Sequence, residues 1–452
     1  MSKSHEMDMT TGNLFPKILK FAIPLMFTGI LQLLFNAADL IVVGQFAENA
    51  ENSVSAIGST SSLLNLIINV FMGISVGANV LMAKAFGSRD PEKADRTLHT
   101  SILLSLICGA FVGLFGFLFS YQFLIWMGTP ASVIDLASIY LKIYFIGTPF
   151  NMLYNFGAAL LRSLGDTKRP LYYLSIAGVV NVLLNLLLVI VFKLDVAGVA
   201  IATITSEAVS AVLVFLALLK GNSFCKFRFS HCRIYKEETL ELIKIGIPAG
   251  IQGSVFSISN VLIQSSVNSF GEVVLAGNTA ASNIEGFIYA AMNAIYSASL
   301  AFTAQNVGAR NFNNIRKTFI DSLILVTIVG ASLSALAILF AKPLLGIYIN
   351  TEEAIQYGIT RMSYIVIPYF LCGIMDVATG TLRGLGFSIS PTIITLFGAC
   401  IFRIVWIYTA FAAHHELWVL YISYPISWAL TSLIQFGYYF FVRKDIKFKL
   451  AA

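Results

Sequence analysis

The stretch Ile102–Ser120, ILLSLICGAFVGLFGFLFS, carries no charged side chain from end to end, and Lys84, Arg89, Lys93 and Arg96 stand just before it. A helix needs roughly 20 apolar residues to cross the hydrocarbon of a bilayer, so this stretch reads as a membrane span that begins on a basic face. Its side chains do not alternate with period two, as those of a barrel strand would. A helix is the other element that satisfies its own backbone in lipid. Working outward, about twelve such runs can be laid along the chain. They lie near 16–44, 54–83, 97–120, 132–161, 170–192, 196–219, 242–269, 276–307, 318–341, 356–382, 390–412 and 417–442. A composition of 57% hydrophobic and 12% charged residues leaves no room for a separate soluble domain.

The charges between the runs set the orientation, because basic residues stay on the cytoplasmic side. Lys3, Lys17 and Lys20 precede the first run. Arg162, Lys168 and Arg169 follow the fourth, and Lys220, Lys226, Arg228, Arg233, Lys236 and Lys244 crowd the central gap. Arg310, Arg316, Lys317, Arg383, Arg443, Lys444, Lys447 and Lys449 continue the series. The intervening gaps hold only Lys193 and Lys342, beside Glu48, Glu51, Asp195, Glu272, Glu352, Glu353 and Glu416. An even number of crossings with both termini cytoplasmic explains the alternation, and implies a multi-pass protein of the cell's inner membrane. The net charge of +6 then reports topology and suits an anionic lipid surface; it is not read as a nucleic-acid footprint. The first run is too long for a signal peptide and lacks a small-residue cleavage site. Cys225 and Cys232 flank His231 in the central loop. The pair could hold a metal, but reduced, inert thiols are the expectation for all five cysteines.

That central loop divides two halves that resemble each other. Lys20-Phe-Ala-Ile-Pro24 is echoed by Lys244-Ile-Gly-Ile-Pro248, and the segment 83–89 by 304–310. Lys142 and Pro149 match Arg361 and Pro368; Arg162-Ser-Leu-Gly165 and Pro170 match Arg383-Gly-Leu-Gly386 and Pro391. The expected domains are a six-helix lobe at 1–219, a cytoplasmic linker at 220–241 and a second six-helix lobe at 242–452. An even number of crossings per half gives a parallel repeat, whose halves can rock about a central cleft. Duplication for packing alone is the plainer reading. Pro24, Pro149, Pro248 and Pro368 interrupt runs at matching places, either as hinges or as tolerated kinks. Tyr154, Phe156, Tyr289, Tyr296, Phe150 and Phe302 could offer ring faces to organic cations, although most aromatics in such a chain must face lipid or core.

Ionisable groups within the hydrocarbon are costly and are either functional or paired. Asp39, Glu207, Glu285, Asp376 and Arg403 fall deep in their runs. Lys142 and Arg361 lie nearer the outer interface and are expected to snorkel. At a helix rise of about 1.5 Å per residue, Asp39, Asn185 and Thr203 all sit roughly 8–11 Å below the outer surface. Asn181 is one turn deeper than Asn185. One carboxylate, two amides and a hydroxyl thus reach one level, a set suited to a hard cation such as Na⁺ or to an Asp that takes and releases a proton. The alternative is that Asp39 only gathers hydrogen bonds among neighbouring helices. Glu207, one turn beyond Thr203, lines a cavity, titrates, or is simply hydrogen-bonded. Glu285 and Arg403 share a depth, and the economical reading is a buried ion pair between two helices; Glu285 otherwise serves as a secondary protonation or cavity residue. Asp376 is a second protonation site or a partner for Arg383.

Gln32 and Asn36-Ala-Ala-Asp39-Leu-Ile-Val-Val-Gly44 resemble the first-helix signature of the multidrug and toxic compound extrusion (MATE) transporters. So do Gly87-Ser-Arg-Asp-Pro91, the segment 161–170, Val196-Ala-Gly-Val-Ala-Ile-Ala-Thr203, Ala276-Gly-Asn278 through Asn283, and Gln305-Asn-Val-Gly308. The resemblance spans about residues 14–445 and implies an all-α protein of twelve transmembrane helices, in two pseudo-symmetric six-helix lobes around a central cavity. It implies secondary active efflux of small, often cationic and amphipathic organic compounds, by antiport against H⁺ or Na⁺, with no other cofactor and the protein expected as a monomer. The family's first-lobe cation site falls on Asp39, Asn181, Asn185 and Thr203, and Gln32 and Asn36 on the first helix are candidates for a secondary protonation or cavity role. This chain has Asn185 where the family usually has Asp, and no acid near Phe256 and Ser257 where another branch places one; Asp376 matches that branch's tenth-helix Asp only loosely. Glu207 is positioned to compensate.

Two rival readings come from the same residues. A lipid-linked oligosaccharide flippase of the same superfamily should line its cavity with several Arg or Lys, and here only Arg403 is deep. A membrane-embedded lipid-transferring enzyme would need paired loop acids or an intramembrane Ser, His or metal constellation, and His414 and His415 stand alone in an outer loop. No glycine loop for phosphate is present, so ATP is not the expected energy source. A passive channel needs no pair of rocking halves.

Overall fold

The computed structural model describes residues 6–47, 49–221, 224 and 226–451, with the side chains of 62 and 444–451 left aside. Lys3, Glu48 and Cys225, and the side chains of Lys444, Lys447 and Lys449, therefore lie outside the described residues. The chain is helical throughout: α1 (Leu14–Phe46), α2 (Ala50–Gly87), α3 (Pro91–Trp126), α4 (Ile134–Ser163), α5 (Lys168–Val191) and α6 (Asp195–Leu219). There follow α7 (Lys236–Asn268), α8 (Glu272–Gly308), α9 (Phe312–Leu339), α10 (Glu352–Ile365), α11 (Phe370–Leu385), α12 (Ile389–Phe411) and α13 (Leu417–Ala451). No strand occurs among the described residues.

Ten of these helices are long and apolar enough to cross a membrane, and α10 with α11 makes one more span, bent by 46°. The twelfth crossing is α4. Its 30 residues include Asp135, Lys142 and Arg162, which lower its apolarity, yet it packs along α2, α3 and α6. Of the four prolines expected to interrupt helices, only Pro368 does so, in the break between α10 and α11; Pro24, Pro149 and Pro248 lie within continuous helices.

The repeat is visible in backbone detail. Arg89 and Arg310 both take left-handed conformations, φ 54° in each, where a side chain costs roughly 1–2 kcal/mol. Each ends one long helix and hands on to an N-cap that starts the next. Asp90 accepts the Lys93 N–H at 3.0 Å and Asn311 accepts the Asn314 N–H at 3.1 Å. Gly165 and Gly386, at φ 87° and 103°, close α4 and α11 in the same way.

Contacts divide the chain into two units. One holds Ile30–Gly250 and the other holds Asp8–Gly29 and the chain from Ile251 on. The division thus departs from the sequence boundaries inside two helices: the opening turns of α1 belong to the second unit, and those of α7 to the first. The central linker is folded back on α3. His99, fully buried, donates through Nδ1 to Asp95 O (2.8 Å) and accepts the Arg228 N–H on Nε2 (3.0 Å). The Tyr235 N–H reaches Thr100 Oγ1 at 3.2 Å.

Candidate functional site

Two close approaches build the first unit's polar centre. A Cβ on Gly178 of α5 would sit 1.8 Å from the Phe35 ring, so only glycine lets α1 lie this close, one turn before Asn181. A Cβ on Gly147 would meet Ile204 at 2.4 Å, which draws α4 onto α6 beside Thr203. Directly after Asn185 the helix widens into a π turn over Leu186–Val191, a distortion frequent where a helix serves a site.

At this place the four residues grouped by depth meet. Asn185 Nδ2 donates to Asp39 Oδ1 at 2.5 Å and lies 3.2 Å from Asn181 Oδ1. Asn181 lies beside the Asp39 carboxylate as well. Thr203 Oγ1 lies 3.5 Å from Asp39 Oδ2 and 2.9 Å from Val199 O. A hydroxyl has one proton, and the shorter bond claims it for Val199, so the Thr203 lone pairs are left to face the carboxylate. Asn185 is fully buried and its Oδ1 has no partner. Asp39, Thr203 and the two amides thus offer oxygens of the kind that hold a hard cation.

Glu207 extends the cluster. Its Oε1 accepts from Asn151 Nδ2 at 2.7 Å, and its buried Oε2 has no partner. Asp39 and Glu207 lie within electrostatic reach of each other, and Tyr140 and Tyr144 of α4 lie within reach of both. Among the described residues no Lys, Arg or His comes within ion-pair distance of either acid. Both acids are half-buried, and carboxylates partly withdrawn from water without a counter-charge are an arrangement that can accept a proton or a cation from outside. Asn151 was not singled out from the sequence; its signal is an amide one turn from Asn155 in the middle of an apolar run. Gln32 and Asn36 remain exposed on α1 and are not drawn into the cluster.

The second unit corrects two expectations. Glu285 does not pair with Arg403. It is held by Arg361, Nε to Oε1 at 2.8 Å and Nη2 to Oε2 at 2.7 Å. Arg361 Nη1 reaches Asn278 Oδ1 at 2.7 Å. Arg361 is 5% exposed and does not snorkel, because depth along a helix leaves open which way a side chain points, and this one points into the bundle. Lys142, its counterpart in the repeat, is exposed. Arg403, 2% exposed, has a hydroxyl rather than a carboxylate at hand: Nε donates to Ser427 Oγ at 2.9 Å. Asp376 does not form an ion pair with Arg383, which bonds Tyr296, Gln252 and Thr392 instead. Asp376 is met by Tyr289, and its buried Oδ2 has no partner. Of the aromatics considered for ring faces, Tyr154, Phe156 and Phe302 are buried within their units, whereas Phe150 and Tyr289 are each 40% exposed. Cys108, Cys232, Cys372 and Cys400 are free thiols.

Comparison with known proteins agrees with this plan. The family model described as MatE matches the chain twice, over residues 24–187 and 248–409, once in each half. "Probable multidrug resistance protein YoeA" of Bacillus subtilis (strain 168) is 27% identical over 438 residues, covering 94% of this chain and 93% of that one. "Probable multidrug resistance protein YpnP" of the same strain is 27% identical over 397 residues, 88% of each chain. A solved structure described as "Crystal structure of MATE in complex with MaL6" superposes with a TM-score of 0.91 at 21% identity, covering 99% of this chain and all (100%) of the other.

Proposed function

The chain belongs to the MatE family of membrane transporters, and on that premise we propose that it exports small organic compounds, cationic and amphipathic ones foremost, in exchange for H⁺ or Na⁺. The relatives named as multidrug resistance proteins support the substrate class. The observation that carries the coupling role is the Asp39 carboxylate, set among neutral donors with no basic partner among the described residues, beside an unpartnered Asn185 oxygen. An entering cation neutralises Asp39 and takes the oxygens of Thr203 and the two amides; its departure restores the Asn185 bond. Differential stability of the loaded and unloaded site biases the two access states of the transporter. The working unit in this reading is a monomer of the inner membrane with both termini cytoplasmic. It acts as a carrier and not as an enzyme.

The test is dye efflux from proteoliposomes with pH and sodium gradients imposed separately, for the natural protein and for Asp39→Asn. The variant is expected to insert and fold but to lose gradient-driven efflux. Full transport by Asp39→Asn under either gradient removes Asp39 from the coupling role.

A further inference from the structure

The two halves can be laid on each other helix by helix. On α6 and α13 the buried positions coincide: Val199, Ser206 and Ser210 stand opposite Leu420, Ser427 and Thr431. Ser206 and Ser427 bond the carbonyls of Thr203 and Tyr424 in the same manner, at 2.8 and 2.7 Å. On α5 and α12, Pro170, Ala177 and Gly178 stand opposite Pro391, Gly398 and Ala399, all buried. A π turn over Leu396–Ile401 has no counterpart at that place in α5. A π turn takes up more chain than an α turn, so the register moves by one residue. From there the buried positions Asn181 and Val189 stand opposite Arg403 and Phe411. Arg403 therefore occupies the place of Asn181, Tyr424 that of Thr203, and Trp428 that of Glu207. Aligned on Pro24 and Pro248, the place of Asp39 is taken by Ile263, 1% exposed.

The chemistry at the two places is inverted. In the first unit an acid is ringed by oxygens and lacks a cation. In the second unit the acid is gone and a cation is covalently present. The Arg403 guanidinium carbon lies 4.2 Å from the Tyr424 ring centroid and 5.5 Å from that of Trp428. Beyond the bond to Ser427, its buried Nη2 has no partner, and among the described residues no carboxylate is within ion-pair distance. Arginine cannot shed its charge by losing a proton, so the ring faces must hold it. Glu285, the acid at similar depth, is already committed to Arg361.

We propose that the second unit retains the counterpart of the Asp39 site as a closed aromatic cage for a small planar cation of the guanidinium class, with the Arg403 side chain as its permanent guest. Taken with the coupling reading above, on which this consequence alone rests, exchange of a cation with solution is confined to the first unit.

The cage is tested without transport, by thermal unfolding of the full chain in detergent. Arg403→Ala is expected to lower Tm by about 5 °C. Methylguanidinium at ~10 mM, acting as a ligand of the folded state, is expected to restore at least half of that loss, while urea at the same concentration restores none. The natural protein should respond to neither. An Arg403→Ala protein indifferent to methylguanidinium overturns the proposal. If that variant is not recovered folded, Arg403→Lys and Arg403→Met decide: a Lys variant of higher Tm supports the cage, and a Met variant equal or higher overturns it. Failure here leaves the role of Asp39 untouched, and efflux by Asp39→Asn leaves the cage untouched.

Discussion

Asp39 and Glu285 are both acids set inside a helical unit, and their surroundings are opposite. Glu285 is clasped through both oxygens by Arg361, with Asn278 sharing the guanidinium and Tyr421 and Tyr424 over it at 5.6 and 5.8 Å. Asp39 is met, among the described residues, by amides and a hydroxyl. The first arrangement is complete, since its charge is cancelled by a residue of the same fold. The second has no such counter-charge among the described residues. On the coupling reading, the lack of a tethered base among the described residues, and not burial by itself, marks the exchange site.

The comparison can be broken in four ways, from the largest expected effect down. Asp39→Asn should reduce gradient-driven efflux in proteoliposomes by at least about a hundredfold, the upper end of the usual range of coupling between two ligands, with little change in Tm. The opposite should hold for Arg361→Met: it leaves Glu285 buried and unpaired, which costs about 3 kcal/mol or more. Unfolding experiments should show that loss, and Glu285→Leu added to Arg361→Met should recover most of it. If Arg361→Met is as stable as the natural protein, the contrast between a closed and an open acid fails. Glu207→Gln keeps a partner for Asn151 but removes the second negative charge beside Asp39; about a tenfold weaker dependence of efflux on the coupling cation is expected, and an unchanged dependence separates Glu207 from the site. Gln32→Ala should alter efflux by less than about twofold, as expected for an exposed side chain outside the cluster; a larger loss would enlarge the site beyond the residues described.

Much of this was readable in the sequence, for identifiable reasons. Apolar length and basic gaps specify the helices, and a constant helix rise puts Asp39, Asn185 and Thr203 at one level without reference to any contact. What depth cannot give is azimuth. The position of Arg361 near an interface predicts a side chain that reaches outward, whereas it turns inward to Glu285. Arg403 and Glu285 share a level but not a face. The π turn in α12 is equally silent in the sequence: it moves the register within a continuous helix, and without it Arg403 does not fall on the place of Asn181. Asn151 carries no such signal, because an amide in an apolar run gives no hint of its partner until α4 and α6 are brought together at Gly147.

The left-handed turns at Arg89 and Arg310 bear on how the chain assembles. Each leaves only Ser88–Asp90 or Ala309–Asn311 between two helices of more than 25 residues. Closing so short a connection forfeits little chain entropy, and contacts near in sequence form early. The α2–α3 and α8–α9 hairpins are thus natural first products of folding in each half, ready before the long-range meeting of α1, α5 and α6 that gathers the acid and its amides. A lesion in either turn should accordingly be felt as slow or failed biogenesis rather than as a faulty carrier.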